Sequence, residues 1–341
     1  MNLKELAKEL NLSISSVSKA LRDSHEISAS TKKLVLAKAK ELNYQVNPFA
    51  SSLRNQKSKT IAVVIPEITY NFFVQAIDGI ESFAQDKGYH VLIYLTHENM
   101  EKEIAITNLL QNGRVDGILM ALSSQTDNTT HLEELRKKNI PLVFFDRVAE
   151  RIDAPKVITD DYNNGILATE HLIEKGCKQI AFLSMSSHLS IINNRKAGYL
   201  DALKNNGIKN KNNLIIQCTN DDKKNRPLIK KLLKGKNRPD GIFASVEKLA
   251  LSLYDLCAEL KLNIPRDIKI IGFSNLQTAA LLNPSLTTIT LPAFEMGREA
   301  ASILFKLLVK KGTNDIPDKT VLESLLIERN STRGKEKKKV K

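Results

Sequence analysis

The sequence predicts a two-part architecture: an all-α helix-turn-helix head over residues 1–46, then an α/β body built on doubly wound parallel sheet. Three observations predict it. The head reads as three short amphipathic helices. From residue 59 onward, continuous apolar runs alternate with helical patterns. Basic charge is concentrated in the head and at the extreme C terminus, leaving the middle almost neutral.

In the head, Leu3, Leu6, Ala7 and Leu10 recur at the spacing of one helical face. After a tight break at Asn11-Leu12, Ser13 caps a second helix. Its Val17, Ala20 and Leu21 point inward and Ile14, Ser15, Ser18 and Lys19 outward. A third helix starts after Ser28 or Ser30, with Leu34, Val35, Ala37 and Leu42 as its buried stripe and Lys32, Lys33, Lys38 and Lys40 in solvent. Pattern alone leaves open a plain helical bundle with a solvated charged face. Charge distribution favours a nucleic-acid reader: residues 1–60 carry 11 Lys/Arg against 5 Asp/Glu, and residues 331–341 carry 6 against 1, which is nearly all of the net +13. Phosphate neutralisation requires such local excess, whereas a solubility device would be spread over the surface.

Next comes Asn47-Pro48-Phe49-Ala50-Ser51-Ser52-Leu53-Arg54. Asn47 can cap, and Pro48 suits the first helical position, so one or two turns are expected. A helix this short is unstable alone because nucleation outweighs a few hydrogen bonds. DNA is a partner that could order it.

The body opens on the apolar run at residues 59–66, read as a strand covered on both faces, and similar runs recur at 90–95, 116–121, 141–145, 179–184, 241–245 and 268–273. About 270 residues exceed the usual single core, so two lobes are expected. Ligands in open α/β sheets bind beyond the carboxyl ends of strands. There Phe72 and Phe73 offer rings either for stacking on a ligand or for ordinary lobe packing. Asp146, after the strand Leu142 to Phe145, can accept hydroxyl hydrogen bonds, cap, or form an interlobe ion pair.

Leu3 to Leu21, Tyr44 and the Asn47 to Arg54 segment resemble the LacI/GalR repressor family, and the similarity continues over about 330 residues. The resemblance implies a hinge helix in 47–58 and a two-lobe, periplasmic-binding-protein-like (type I) sensor over 59–330. Lobe one would be 59–160 with 290–320, lobe two 161–289 with 321–330, and 331–341 a disordered basic tail without leucine heptads. It further implies that Ile14, Ser15 and Lys19 face base edges in the major groove, with Ser16 and Ser18 nearer the backbone. Asn47, Ala50, Leu53 and Arg54 would act in the hinge, Leu53 as a wedge in the minor groove. Two hinge helices side by side imply a homodimer on a near-palindromic site.

For the sensor, Arg195 resembles the family arginine that reaches the effector, and Asp161 a family aspartate near the crossover, although Asp161 could simply cap a helix beginning at Asn163. Two departures concern the ligand. Ser274 stands where the family often has Asp, and Val246-Glu247 where it often has Asn-Asp, so the identity of a small-molecule effector, sugar or related metabolite, does not transfer. Control by a protein partner stays open as an alternative. A plain secreted sugar-binding protein would begin with an apolar leader, which the polar first 20 residues do not resemble. No enzyme, cofactor or metal is expected. Cys177, Cys218 and Cys257 lack metal-ligand spacing, and the six His are scattered. Separate thiols and the lack of a transmembrane-length run suggest a cytoplasmic chain with no membrane partner.

Overall fold

A computed structural model describes residues 2–44, 58–69, 71–185, 188–209, 212–309 and 316–333. The chain divides into two units, Met1–Ser58 and Lys59–Lys341.

The first unit holds α1 (Leu3–Glu9), α2 (Ile14–Leu21) and α3 (Ala29–Glu41). Asn2 and Glu5 form a reciprocal capping box on α1. Ser13 and Ser28 cap α2 and α3 through the backbone N–H groups of Ser16 and Thr31. The core is Leu6, Ala7, Val17, Ala20, Val35 and Ala39. The buried stripe of α3 differs from the expected one. Val35 and Ala39 are buried, while Leu34 and Ala37 face outward, Leu34 being 55% exposed. So small a core admits only one residue per turn from its longest helix. Lys32 and Lys38 are half-buried and paired with Asp23 and Glu41.

The second unit contains two six-stranded sheets of matching topology. The first runs β11 (Lys319–Leu322), β5 (Lys156–Thr159), β4 (Leu142–Phe145), β3 (Gly117–Met120), β1 (Thr60–Ile65), β2 (His90–Leu95). The second runs β12 (Leu325–Ile327), β10 (Thr287–Thr290), β9 (Lys269–Phe273), β8 (Gly241–Ala244), β6 (Ile180–Ser184), β7 (Ile215–Gln217). All pairings are parallel except β10 with β12. The central strands are buried on both faces, as their unbroken apolar runs require. The seven runs read from sequence are β1, β2, β3, β4, β6, β8 and β9. The short β5, β7 and β10, whose runs carry Lys, Thr or Gln, escape that reading.

Helices α4 (Asn71–Asp86), α5 (Met100–Leu110), α6 (Thr130–Lys137), α7 (Asp161–Glu174), α8 (Ser190–Asn205), α9 (Asp222–Lys234), α10 (Glu247–Glu259) and α11 (Ala293–Val309) cover these sheets. Two helix pairs cross at glycines. A Cβ on Gly79 of α4 would lie 2.1 Å from the Phe294 carbonyl oxygen, and one on Gly198 of α8 would lie 2.1 Å from that of Tyr162. Only glycine permits this backbone contact.

Among the described residues the chain passes between lobes three times: after β5, after β10 and between β11 and β12. The last crossing falls at Glu323-Ser324 rather than at the expected 320/321, with Lys319–Leu322 and Leu325–Ile327 forming two strands in two sheets. Residues 321 and 322 stay in the first lobe because β11 pairs with β5 through Leu322. Residues 331 and 332, expected in the tail, belong instead to the second lobe. Ser331 and Thr332 are fully buried: Ser331 donates to the Ile270 carbonyl at 2.6 Å, and Thr332 bonds His171 and Thr287 at 2.8 Å.

Candidate functional site

On α2, Ile14 is 47% exposed and Ser15 is exposed beside it. Ser18 and Lys19 lie half-buried on the same face, Lys19 paired with Glu26. Ser16 sits apart, its hydroxyl 2.9 Å from that of Ser13 in the cap. Arg22, which the sequence reading omitted, extends this face. Its Nε donates to the Ser18 carbonyl at 2.9 Å, setting an exposed cation one turn beyond Lys19. Asn47, Ala50, Leu53 and Arg54 lie outside the described residues.

The loops at the carboxyl ends of the strands meet in a cleft between the two lobes. Six of the seven sequence-predicted effector residues line one chamber there: Phe72, Phe73, Asp146, Arg195, Glu247 and Ser274. Asp161 does not. It lies behind the wall, where its Oδ1 accepts from Arg195 Nε at 2.6 Å. Asp160 caps α7, which begins at Asp161 rather than Asn163. Burial raises the Asp161 pKa and the Arg195 guanidinium opposes it. Arg195 also donates from Nη1 to the Ser245 carbonyl at 2.7 Å and lies 3.6 Å above the Phe273 ring. Asp161, Ser245 and Phe273 thus orient the guanidinium from three elements.

In the first lobe Asp146 follows β4 in a left-handed conformation, φ 59°. It is 7% exposed, and its nearest ionic partner is the neighbouring Arg147 Nε at 3.8 Å. Arg147 itself is held by Glu98 at 2.8 Å. Burial pushes the Asp146 carboxyl up to about 6, with Arg147 and Arg195 pulling the other way. It is neither a cap nor an interlobe ion pair. Phe73 belongs to the first-lobe core, 5.2 Å from Phe72 and 6.4 Å from Phe145. Phe72 packs against cores of both lobes.

Glu247 behaves differently from a free acceptor. Its carboxylate accepts from Asn71 of the first lobe at 2.5 Å and, in its own lobe, from the Ser274 hydroxyl at 2.6 Å and the Asn275 N–H at 3.1 Å. Gln75 and Asn275 exchange two more bonds across the cleft, at 3.0 and 3.1 Å. Asn220 reaches Ser124 at 3.0 Å. Asn71, Gln75 and Asn220 carry no signal in the sequence, because interlobe pairing depends on which loops the topology brings together.

Residues 58–330 match the model for periplasmic binding proteins and the sugar binding domain of the LacI family, and residues 2–47 match that for bacterial regulatory proteins of the lacI family. The chain belongs to the LacI family. Catabolite control protein A of Priestia megaterium is 29% identical over 308 residues, covering 90% of this chain and 92% of that one. The HTH-type transcriptional repressor PurR of Photorhabdus laumondii is 30% identical over 311 residues, 91% of each chain. Among solved structures, a periplasmic binding protein/LacI transcriptional regulator from Alkaliphilus metalliredigens, complexed with D-xylulofuranose, superposes with a TM-score of 0.67 at 27% identity. That comparison covers 81% of this chain and 100% of the other. This LacI-family chain is therefore a DNA-binding transcriptional regulator with a helix-turn-helix domain and a two-lobe sensor, not an enzyme. Its three cysteines are buried, with thiols pushed by burial to about 12 for Cys177 and Cys218 and about 11 for Cys257, which fits packing roles. No described helix is long and apolar enough to cross a membrane.

Proposed function

We propose that this regulator is a repressor acting as a homodimer on a near-palindromic operator, with operator affinity set by a small metabolite, a sugar or related compound, held between the lobes. The observation that carries the reading is Asp146. A carboxylate more than nine-tenths buried, lining a chamber, with only a 3.8 Å ion pair for company, is an acceptor awaiting a donor. Arg195 faces it from the other lobe as a fixed donor, so a ligand touching both would bias the angle between lobes. The sugar-complexed relative and the family's sugar binding domain support the same class.

In the head, Ile14, Ser15, Lys19 and Arg22 present a packing group, a hydroxyl and two cations to the major groove, with Ser16 and Ser18 toward the backbone. Asn47, Ala50, Leu53 and Arg54 act as the hinge, Leu53 prising a base step apart.

One observation favours control by a protein partner: the chamber encloses only about 70 Å³ and is closed by the protein's own bonds. A single experiment separates the two readings. Operator footprints are recorded with a metabolite library, for the parent, Arg195→Ala and Leu53→Ala. Metabolite control requires a compound that changes the parent footprint by at least tenfold in affinity and leaves Arg195→Ala unaffected. Response to no compound would transfer control to a partner. Leu53→Ala is expected to weaken every discrete site, and undiminished binding would remove the hinge role.

A further inference from the structure

The two walls of the cleft differ in how much hydrogen-bonding capacity they still hold, and this difference selects the ligand. Among the described residues, the polar groups that line the second-lobe wall are engaged with the protein. Both Glu247 oxygens are taken by Asn71, Ser274 and Asn275. The Ser274 hydroxyl donates to Glu247 and accepts from the Leu276 N–H at 3.0 Å. The Asn275 amide donates to Gln75 and to the Leu291 carbonyl, and its oxygen accepts from the Leu291 N–H at 3.3 Å. Arg195 is tied down at Nε and Nη1, leaving Nη2 as the outer edge. The other described residues of that wall are apolar, Ile191, Ile192, Phe273 and Leu291 among them.

On the first-lobe wall, Asp146 retains its acceptor capacity. Charge restricts the choice further. Glu98, Asp146 and Glu247 line the chamber, with Asp161 directly behind, against only Arg147 and Arg195. An anionic ligand would add to a local excess of carboxylate.

Resting on the metabolite reading above, we infer that the effector is one-sided: a hydrogen-bond-donating head, uncharged or cationic, seated on Asp146, and an apolar body laid against the Ile191, Ile192 and Phe273 wall. A free hexose has hydroxyls around its whole rim. Each one turned toward that wall is buried without a partner and loses roughly tenfold or more in affinity. A sugar phosphate is opposed by the carboxylates. Glu247, where the family often has Asp, is thus a specificity-determining residue whose carboxylate is spent on Asn71, Ser274 and Asn275 instead of being offered to a second rim of hydroxyls.

The test is isothermal titration of the full chain with D-glucose, D-glucose 6-phosphate, phenyl β-D-glucoside and phenethylamine, followed by thermal-shift screening of a broad metabolite library. Binding of phenyl glucoside or phenethylamine at least tenfold tighter than glucose, with no binding of the phosphate, is the expected result. The two apolar-bodied probes separate a hydroxyl head from an ammonium head. Ile192→Ser is expected to erase the advantage of the phenyl group, and the milder Ile192→Val to halve it or more if the polar change perturbs folding. Glucose binding as tightly as its phenyl glycoside, preference for the phosphate, or library hits that are uniformly polar would overturn the one-sided ligand while leaving metabolite control intact. A library with no hit of any kind would remove metabolite control itself, and this inference with it.

Discussion

At Arg195 and Asp161, burial turns an ordinary ion pair into a structural commitment. The two side chains are 3% and 5% exposed, so removing one leaves the other charged, desolvated and alone. Asp161→Asn is expected to lower unfolding free energy by about 3–5 kcal/mol, while Asp161→Leu combined with Arg195→Met recovers most of it, measured by urea denaturation. Asp146 poses the complementary case. Its folded pKa near 6 lies above the ordinary 3.8, so the folded state holds this proton more tightly than the unfolded chain does. Its stabilising contribution is therefore present in full below pH 3.8 and is lost as pH rises through about 6. Melting temperatures followed from pH 4 to 7 should show Asp146→Asn gaining on the parent throughout that window. A ligand donating to the carboxylate should bind more tightly at pH 7.5 than at pH 5, a dependence that Asp146→Asn abolishes.

At the scale of elements, α7 and α8 meet through Gly165 and Gly198, the counterparts of Gly79 and Gly297 between α4 and α11. A Cβ on Gly165 would sit 2.4 Å from the carbonyl oxygen of Arg195 itself. Gly165→Ala must therefore push α8 outward and carry Arg195 away from Asp161. The expected loss is about 1–3 kcal/mol from overpacking, together with loss of the effector response. Gly297→Ala should cost similar stability and spare the Arg195 wall, and equal loss of response from both would show that the effect is general unfolding. Element identity was largely legible beforehand. Continuous apolar runs such as those of β1, β3 and β8 announce strands covered on both faces. β5, β7 and β10 were not legible, because Lys156–Thr159, Ile215–Gln217 and Thr287–Thr290 are short and carry Lys, Gln or Thr in place of a continuous apolar run. Thr287, fully buried, exchanges bonds with Arg329 and Thr332 more than 40 residues away.

For the whole molecule, the sensor closes on bonds of its own making. Asn71, Gln75 and Ser124 of the first lobe meet Glu247, Asn275 and Asn220 of the second, and Phe72 packs against both cores. Removing Asn71 and Gln75 together as alanines is expected to open the ligand-free sensor, seen as an increased radius of gyration in small-angle scattering. An unchanged radius would assign closure to Phe72 packing instead.

The sequence by itself determined the parts. Periodicity, capping residues and the concentration of charge specified a helical DNA-reading head and an alternating α/β sensor, because those signals are local and survive in one dimension. Six of the seven residues singled out for the sensor line one chamber, Phe72, Phe73 and Asp146 because loops after strands open on the cleft, Arg195, Glu247 and Ser274 because they stand where the resemblance placed them. Only the tertiary structure decided what each of them does. Glu247 is a clasp, Asp161 a support behind Arg195, Ser274 a partner of Glu247, and Asp146 the acceptor with capacity left. Those roles depend on burial and on contacts across 27 to 200 residues, as between Ser274 and Glu247 or Gln75 and Asn275, and no local pattern encodes which distant donor fills a given lone pair.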